Sequence, residues 1–482
     1  MIDPTNMMNS RSSNRRKFLC DAGIGLGSIA TSAMFGLPLS TAESHHVGQR
    51  FSDVSMPHFL PRAKNVIFLY MVGGPSHLDM FDHKPELDRY DGQIAPAEVI
   101  EGVPFEQIKT DKLHIMGSPW GFDTCGETGR RVTKLMPHTQ QIIDELTFVR
   151  TVTTDETVHP FAELMLFTGH REAGRPSLGS WITYGLGSDT ENLPGFVAFG
   201  DIQNHRSHGN IYSSGFLPAT FDGVEVRSSG PPILGLQSPP GYSPQDDRQI
   251  LDAISRLNAL RWASTGDQNT AARMHAYDLA HRMQKTAPEL LDIQDEPRHV
   301  LDMYGIGTDL TVPSFNRDCL LARRMVQRGV RFVQLTYGDW DHHGNIAVSF
   351  PPMARMIDQP CAALIQDLKQ QGMLDDTLVI WGGEFGRTPV AQPQKNGAVG
   401  RDHHVLAFTM WMAGGGVRAG TDVGATDDLG FRPTTTPINV HDLQATILHL
   451  LGVDHEQLTY RFQGRDFRLT DVYGNIVHEL LA

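Results

Sequence analysis

Four cysteines in 482 residues, Cys20, Cys125, Cys319 and Cys361, stand far apart and form no C-x-x-C pair. That spacing argues against a zinc knuckle, a dithiol redox centre or a disulfide framework. Positive charge is also scarce. The chain has 41 Lys and Arg against 55 Asp and Glu, and its formal net charge of −14 speaks against any general affinity for nucleic-acid phosphates or anionic lipid. Beyond the amino terminus no segment approaches the roughly 20 uninterrupted apolar residues of a membrane span, and no tandem repeat occurs. What is present is a chain 40% hydrophobic and 20% charged, long enough to bury a large core.

The amino terminus carries a message of its own. Ser13-Asn14-Arg15-Arg16-Lys17-Phe18-Leu19 precedes a weakly apolar, Gly- and Ala-rich stretch from Ala22 to Leu39, and Ser40-Thr41-Ala42 then offers small residues for cleavage. Paired arginines followed by Phe-Leu resemble a twin-arginine export signal over residues 1–42. The twin-arginine translocation machinery is then the expected partner, with delivery to the periplasm or the exterior. Loss of residues 1–42 removes four basic and two acidic residues and leaves an acidic chain of net charge −16.

Further along, β-prone runs alternate with helical patterns: 65–72, 146–152, 195–199, 330–337, 377–381 and 406–412 read as strands. Helices are expected at 131–145, 316–328 and 353–371. The alternation predicts an α/β fold, a mostly parallel central sheet with helices on both faces. Between about 201 and 315 the pattern changes to Gly-, Ser- and Pro-rich loops and then helix, which reads as an inserted loop and helical cap in a domain spanning 60–482.

The sharpest chemical signal is VRFVQLTYGDWDHHGN at 330–345, where a buried strand stops at Asp339, Asp341, His342 and His343. Ligands at the carboxyl end of a parallel strand lie where open α/β sheets bind substrates. Carboxylate with imidazole suits zinc or manganese better than calcium or magnesium. Alternating directions allow two or three of the four to reach one ion. Arg387, in the turn after the 377–381 strand, could clamp an anion or pair with a surface carboxylate.

The order of elements resembles the alkaline-phosphatase-like superfamily, which includes sulfatases and phosphodiesterases. AKNVIFLYMVGG looks like its first strand, and Asp339-x-x-x-His343 is similar to its D-x-x-x-H metal motif. More closely, GGPSHLDMFDHKPEL, TLVIWGGEFGRTP and GRDHHVLAFTMWMAGGGV resemble the exported bacterial family called domain of unknown function 1501, over residues from about 60 to the end.

The resemblance implies a metal site at Asp339, His343 and His403, with Glu384, His77 and Asp79 as further candidate ligands. In the superfamily's second-site positions this chain has Glu384-Phe385 for an Asp-His pair, and Val72-Gly73 for an aspartate, so that second site is altered. Spacing to Thr168-Gly169 puts His159 in the nucleophile slot, as nucleophile, general acid or ligand. No Cys-x-Pro-x-Arg occurs, which disfavours the usual sulfatase mechanism. The expectation is a metal-dependent hydrolase of anionic small-molecule or glycan esters, phosphate before sulfate, with His159 and Arg387 catalytic. The alternative is an inactive secreted binding protein on the same fold.

Overall fold

In the computed structural model, which describes residues 56–108, 112–200, 206–207, 209–227, 232–233, 241–266 and 268–482, every residue of the strand Asn65–Met71 is buried. Its side chains alternate between two cores. Ile67, Leu69 and Met71 pack with Leu320 and Leu364, which belong to helices Phe315–Gln327 and Ile346–Gln370. Val66, Phe68 and Tyr70 pack on the other face with Phe167, Trp181 and Ile447, from helices His159–Thr168, Leu178–Leu186 and Val440–Leu450. A strand covered on both faces explains why its sequence is continuously apolar instead of alternating.

Among the described residues the main sheet has nine strands, with the order Asp422–Val423, Thr147–Thr153, Phe408–Ala413, Thr377–Gly382, Asn65–Met71, Phe332–Tyr337, Phe196–Phe199 and Val224–Val226, and with Ile438–Asn439 also on Thr147–Thr153. Phe408–Ala413 is antiparallel to both neighbours and all other pairs are parallel. The fold is therefore α/β with a mostly parallel sheet and helices on both faces. Thr147–Thr153, Thr377–Gly382, Asn65–Met71 and Phe332–Tyr337 all run the same way, so their carboxyl ends share one edge.

One expectation fails. Residues 131–145 form no single helix: a strand Arg130–Thr133 pairs with Phe122–Cys125, and a 3-10 helix follows at Thr139–Glu145, beyond Pro137. Arg401 to His404, just ahead of the expected strand at 406–412, form part of a separate strand Val399–His404, antiparallel to Gly386–Pro393. Within 201–315 the described residues include a helical hairpin, Pro244–Thr265 and Gln268–Leu291. The export signal at 1–42 lies outside the described residues. Among these, no helix is long and apolar enough to cross a membrane.

Candidate metal centre

Strand Phe332–Tyr337 ends at Gly338, and the chain then folds into a compact turn instead of continuing extended. Trp340 N–H donates to Val72 O (2.8 Å), His342 N–H to Trp340 O (2.8 Å) and His343 N–H to Asp341 O (3.1 Å). The Trp340 ring is fully buried, which throws Asp341 and His343 to the opposite side. Gly73, after the first strand, permits this approach. Its φ is +102°, and a Cβ there would stand 2.7 Å from the amide nitrogens of Trp340 and Asp341.

Asp341 and His343 meet His159 and His403, and one ligand atom from each of the four lies within 4.8 Å of the others. His159 opens the helix His159–Thr168, just past the end of Thr147–Thr153. His403 stands opposite Arg387 in the antiparallel hairpin, after a register shift between Arg401 and His403 that re-aims it toward the sheet edge.

All three imidazoles turn Nε2 toward Asp341. The distances are 2.8 Å from His343 and 3.3 Å from His403 to Oδ1, and 3.2 Å from His159 to Oδ2. Each outer nitrogen is already committed. His403 Nδ1 donates to Thr157 O (2.6 Å), His343 Nδ1 to Gln392 Oε1 (2.6 Å) and His159 Nδ1 to Glu384 Oε1 (2.6 Å). A neutral imidazole donating from Nδ1 has only a lone pair at Nε2. In that tautomer the three Nε2 lone pairs face a carboxylate, an arrangement that a cation between them would satisfy, and the Gln107 amide also reaches His343 Nε2 at 3.0 Å. The three N···O separations, 2.8 to 3.3 Å, lie near the roughly 3.3 Å between ligand atoms of a tetrahedral zinc with bonds of about 2.0 Å. The residues present fit a divalent metal.

Electrostatics divide the cluster: burial opposes charge on His159, but its contacts with Asp341 and Glu384 outweigh this and raise its pKa. Burial works against ionisation of Asp341, but the three histidines and the Arg387 guanidinium hold its carboxyl far below the usual range. Burial pushes the His403 imidazole down, toward the neutral form a metal needs.

The expected site residues divide clearly. His159, His343 and His403 enter the cluster. The carboxylate is Asp341 and not Asp339, whose side chain is 74% exposed and pairs with Arg206 (3.2 Å). Glu384 is fully buried beneath the cluster. Besides His159, it accepts from Gly73 N–H (2.9 Å) and Tyr70 O–H (2.9 Å), and it does not join the cluster.

Asp79 is held by the buried Arg401 at 2.8 and 3.1 Å and by Ser76 O–H at 2.5 Å, while His77 is walled in against Gly386 and ring-stacked on His404; neither joins the cluster. Arg387 is no exposed clamp: it is fully buried, donates to the carbonyls of Gly73, Gly74 and Arg401, and reaches Asp341 Oδ1 at 2.8 Å. Its work is to fix Asp341. Phe385 packs its ring 4.3 and 4.8 Å from those of His403 and His159.

Arg206 was not foreshadowed. Its side chain is 38% exposed, and its Nη2 lies 3.0 Å from Asp341 Oδ2. The next residue, Ser207, donates its N–H to the buried Glu163 (2.9 Å), whose carboxyl is pushed up to about 7 by burial and by the nearby Glu384 charge. No motif marks Arg206, which sits in the Gly- and Ser-rich region.

Among solved structures similar to this one are a sulfatase from Pseudoalteromonas sp. (14% identity, TM-score 0.34, 82% of this chain and 69% of that one) and a protein in the alkaline phosphatase superfamily from Vibrio parahaemolyticus (10%, 0.31, 83% and 70%). A third is a phosphonate monoester hydrolase from Silicibacter pomeroyi (11%, 0.30, 81% and 73%). No curated protein matches the chain. The model of one family, described as a protein of unknown function, DUF1501, matches residues 63–481, nearly the whole described chain, and the protein belongs to that family.

Proposed function

We propose that this protein is an exported, metal-dependent hydrolase of anionic esters, phosphate before sulfate. The observation that carries the reading is the convergence of three imidazole Nε2 atoms on Asp341, each with its Nδ1 anchored by a different acceptor. Outer partners of that kind fix the tautomer and orientation of metal-binding histidines. His159, Asp341, His343 and His403 would hold the ion, which is zinc or manganese by donor chemistry.

When bound, such an ion supplies polarisation of an ester oxygen and a lower pKa for a coordinated water. The chain does the rest. His159 would serve as a ligand through Nε2, with Glu384 holding its Nδ1. Arg387 and Gly73 hold the Asp341 turn in place. Arg206, at the exposed side of Asp341, is the guanidinium positioned to meet a substrate anion. Sulfate ranks second because the sequence has no Cys-x-Pro-x-Arg from which to build the usual sulfatase nucleophile.

The test is to recover the processed chain from the periplasm or medium, load it with zinc or manganese, and assay a panel of phosphate and sulfate mono- and diesters with and without chelator. Turnover of phosphate esters that chelation abolishes is the expected result. A metal-loaded, folded protein that turns over none of them would instead support an inactive binding protein. Recovery of the unprocessed chain from the cytoplasm alone would contradict export.

A further inference from the structure

Segment 103–108 passes beside the metal cluster without helix or strand, yet it is firmly held. Val103 is buried in a small core with Leu78 and Phe431, and Phe105 and Ile108 pack against that core. The fully buried Asp402, next to the ligand His403, accepts the N–H groups of Gln107 (2.8 Å) and Ile108 (3.0 Å) on Oδ2 and that of His403 (2.9 Å) on Oδ1. One carboxylate thus ties the Gln107 backbone to the strand that carries a ligand.

The Gln107 side chain closes a ring of hydrogen bonds on His343. His343 Nδ1–H donates to Gln392 Oε1 (2.6 Å), Gln392 Nε2–H donates to Gln107 Oε1 (3.2 Å), and Gln107 Nε2 lies 3.0 Å from His343 Nε2. With all three bonds running in one direction, the His343 lone pair at Nε2 accepts from the Gln107 amide. An imidazole nitrogen has a single lone pair. An ion held by His343 takes it, and the Gln107 N–H loses its acceptor.

Asp402 and Gln392 keep their hold on Gln107, so the N–H stays beside the ligand atoms and needs a new partner there. Asp341 is already approached by Arg387 at Oδ1 (2.8 Å) and by Arg206 at Oδ2 (3.0 Å). Gln107 is exposed, within reach of a molecule entering from solvent. We propose that Gln107 is a substrate-contacting residue, whose side-chain N–H donates to an oxygen of the anion bound at the centre, on the His343 side as Arg206 is on the Asp341 side. This role rests on the metal-dependent hydrolase proposed above.

The experiment uses calorimetry on the purified protein to measure binding of zinc or manganese to the metal-free chain and of inorganic phosphate to the metal-loaded chain. Gln107→Leu should keep its melting temperature and a metal affinity within about threefold of wild type, since the amide exchanges one acceptor for another, yet bind phosphate about tenfold more weakly, the scale of a lost hydrogen bond to a charged group. Gln107→Glu, equal in size, should lose phosphate further by setting a carboxylate against the anion. A wild type that takes up neither metal would overturn the metal site and this role together. A metal-loaded wild type that binds no phosphate, or a Gln107→Leu protein with wild-type phosphate affinity, would overturn the role of Gln107 alone. Metal affinity that falls with phosphate affinity in Gln107→Leu would also overturn it, by making Gln107 a prop for His343; metal affinity that rises well beyond threefold would do the same, by showing that the amide finds no new acceptor.

Discussion

Asp341 is approached by three imidazoles and two guanidinium groups, and the two arginines differ in what they can do. Arg387 is sealed in and spends its donors on backbone carbonyls, so its removal would collapse the turn. Arg206 is partly open to solvent and touches only Asp339 and Asp341 among the described residues. Arg206→Ala should therefore leave fold and metal content unchanged while raising KM for phosphate esters and lowering kcat/KM by about 10²-fold, the scale of a lost charged hydrogen-bonding pair. Steady-state kinetics on the metal-loaded variant checks this, and an unchanged kcat/KM would remove Arg206 from substrate binding.

The histidines of the cluster, His159, His343 and His403, were legible in the sequence, since strand ends and motif spacing mark them. The carboxylate was not. Asp339 and Asp341 are two apart, and the choice between them turns on where the strand ends and on the burial of Trp340, which spacing does not encode. Asp79 and Glu384 looked like ligands because a carboxylate that binds metal and one that serves Arg401 or His159 have the same sequence signature.

Elements were easier to read than residues where apolar runs mark them. Asn65–Met71, Phe332–Tyr337 and Thr377–Gly382 lie within two residues of their sequence limits because burial on both faces demands unbroken apolar side chains. The strand Val399–His404 escaped, since Arg401, Asp402, His403 and His404 are polar yet all buried.

The joint between the first strand and the Asp341 turn is where element geometry bears on chemistry. Gly73→Ala would add a Cβ that meets two backbone nitrogens at 2.7 Å in a backbone region unfavourable to L residues. A loss of about 1–3 kcal/mol is expected, together with weaker metal binding as the Asp341 turn moves. Thermal melts and metal titration report both effects. A variant with wild-type melting temperature and affinity would mean that the turn is not held through Gly73.

For the molecule as a whole, stability should depend on pH through histidines buried in neutral form. His77 is fully buried, and burial lowers its pKa from 6.5 to about 3; burial also takes His404 to about 4. Between those values and 6.5 the unfolded chain binds protons that the native state refuses, so stability is complete above about pH 7 and falls as the pH drops. His77 alone should cost about 2 kcal/mol at pH 5 by this linkage. His77→Leu should accordingly flatten the fall in melting temperature between pH 7 and 5 relative to wild type. An identical slope in the two proteins would show that His77 is protonated or solvated in the native state.

The central claim is that His159, Asp341, His343 and His403 form one metal site, and elemental analysis of the protein purified from its native host tests it most directly. About one equivalent of zinc or manganese per chain is expected, lost on chelation with a drop in melting temperature. Asp341→Asn and His403→Ala should each deplete the metal, whereas Asp339→Asn should retain it. Well under one equivalent in the folded wild type, or depletion by Asp339→Asn with full occupancy in Asp341→Asn, would contradict the site described here.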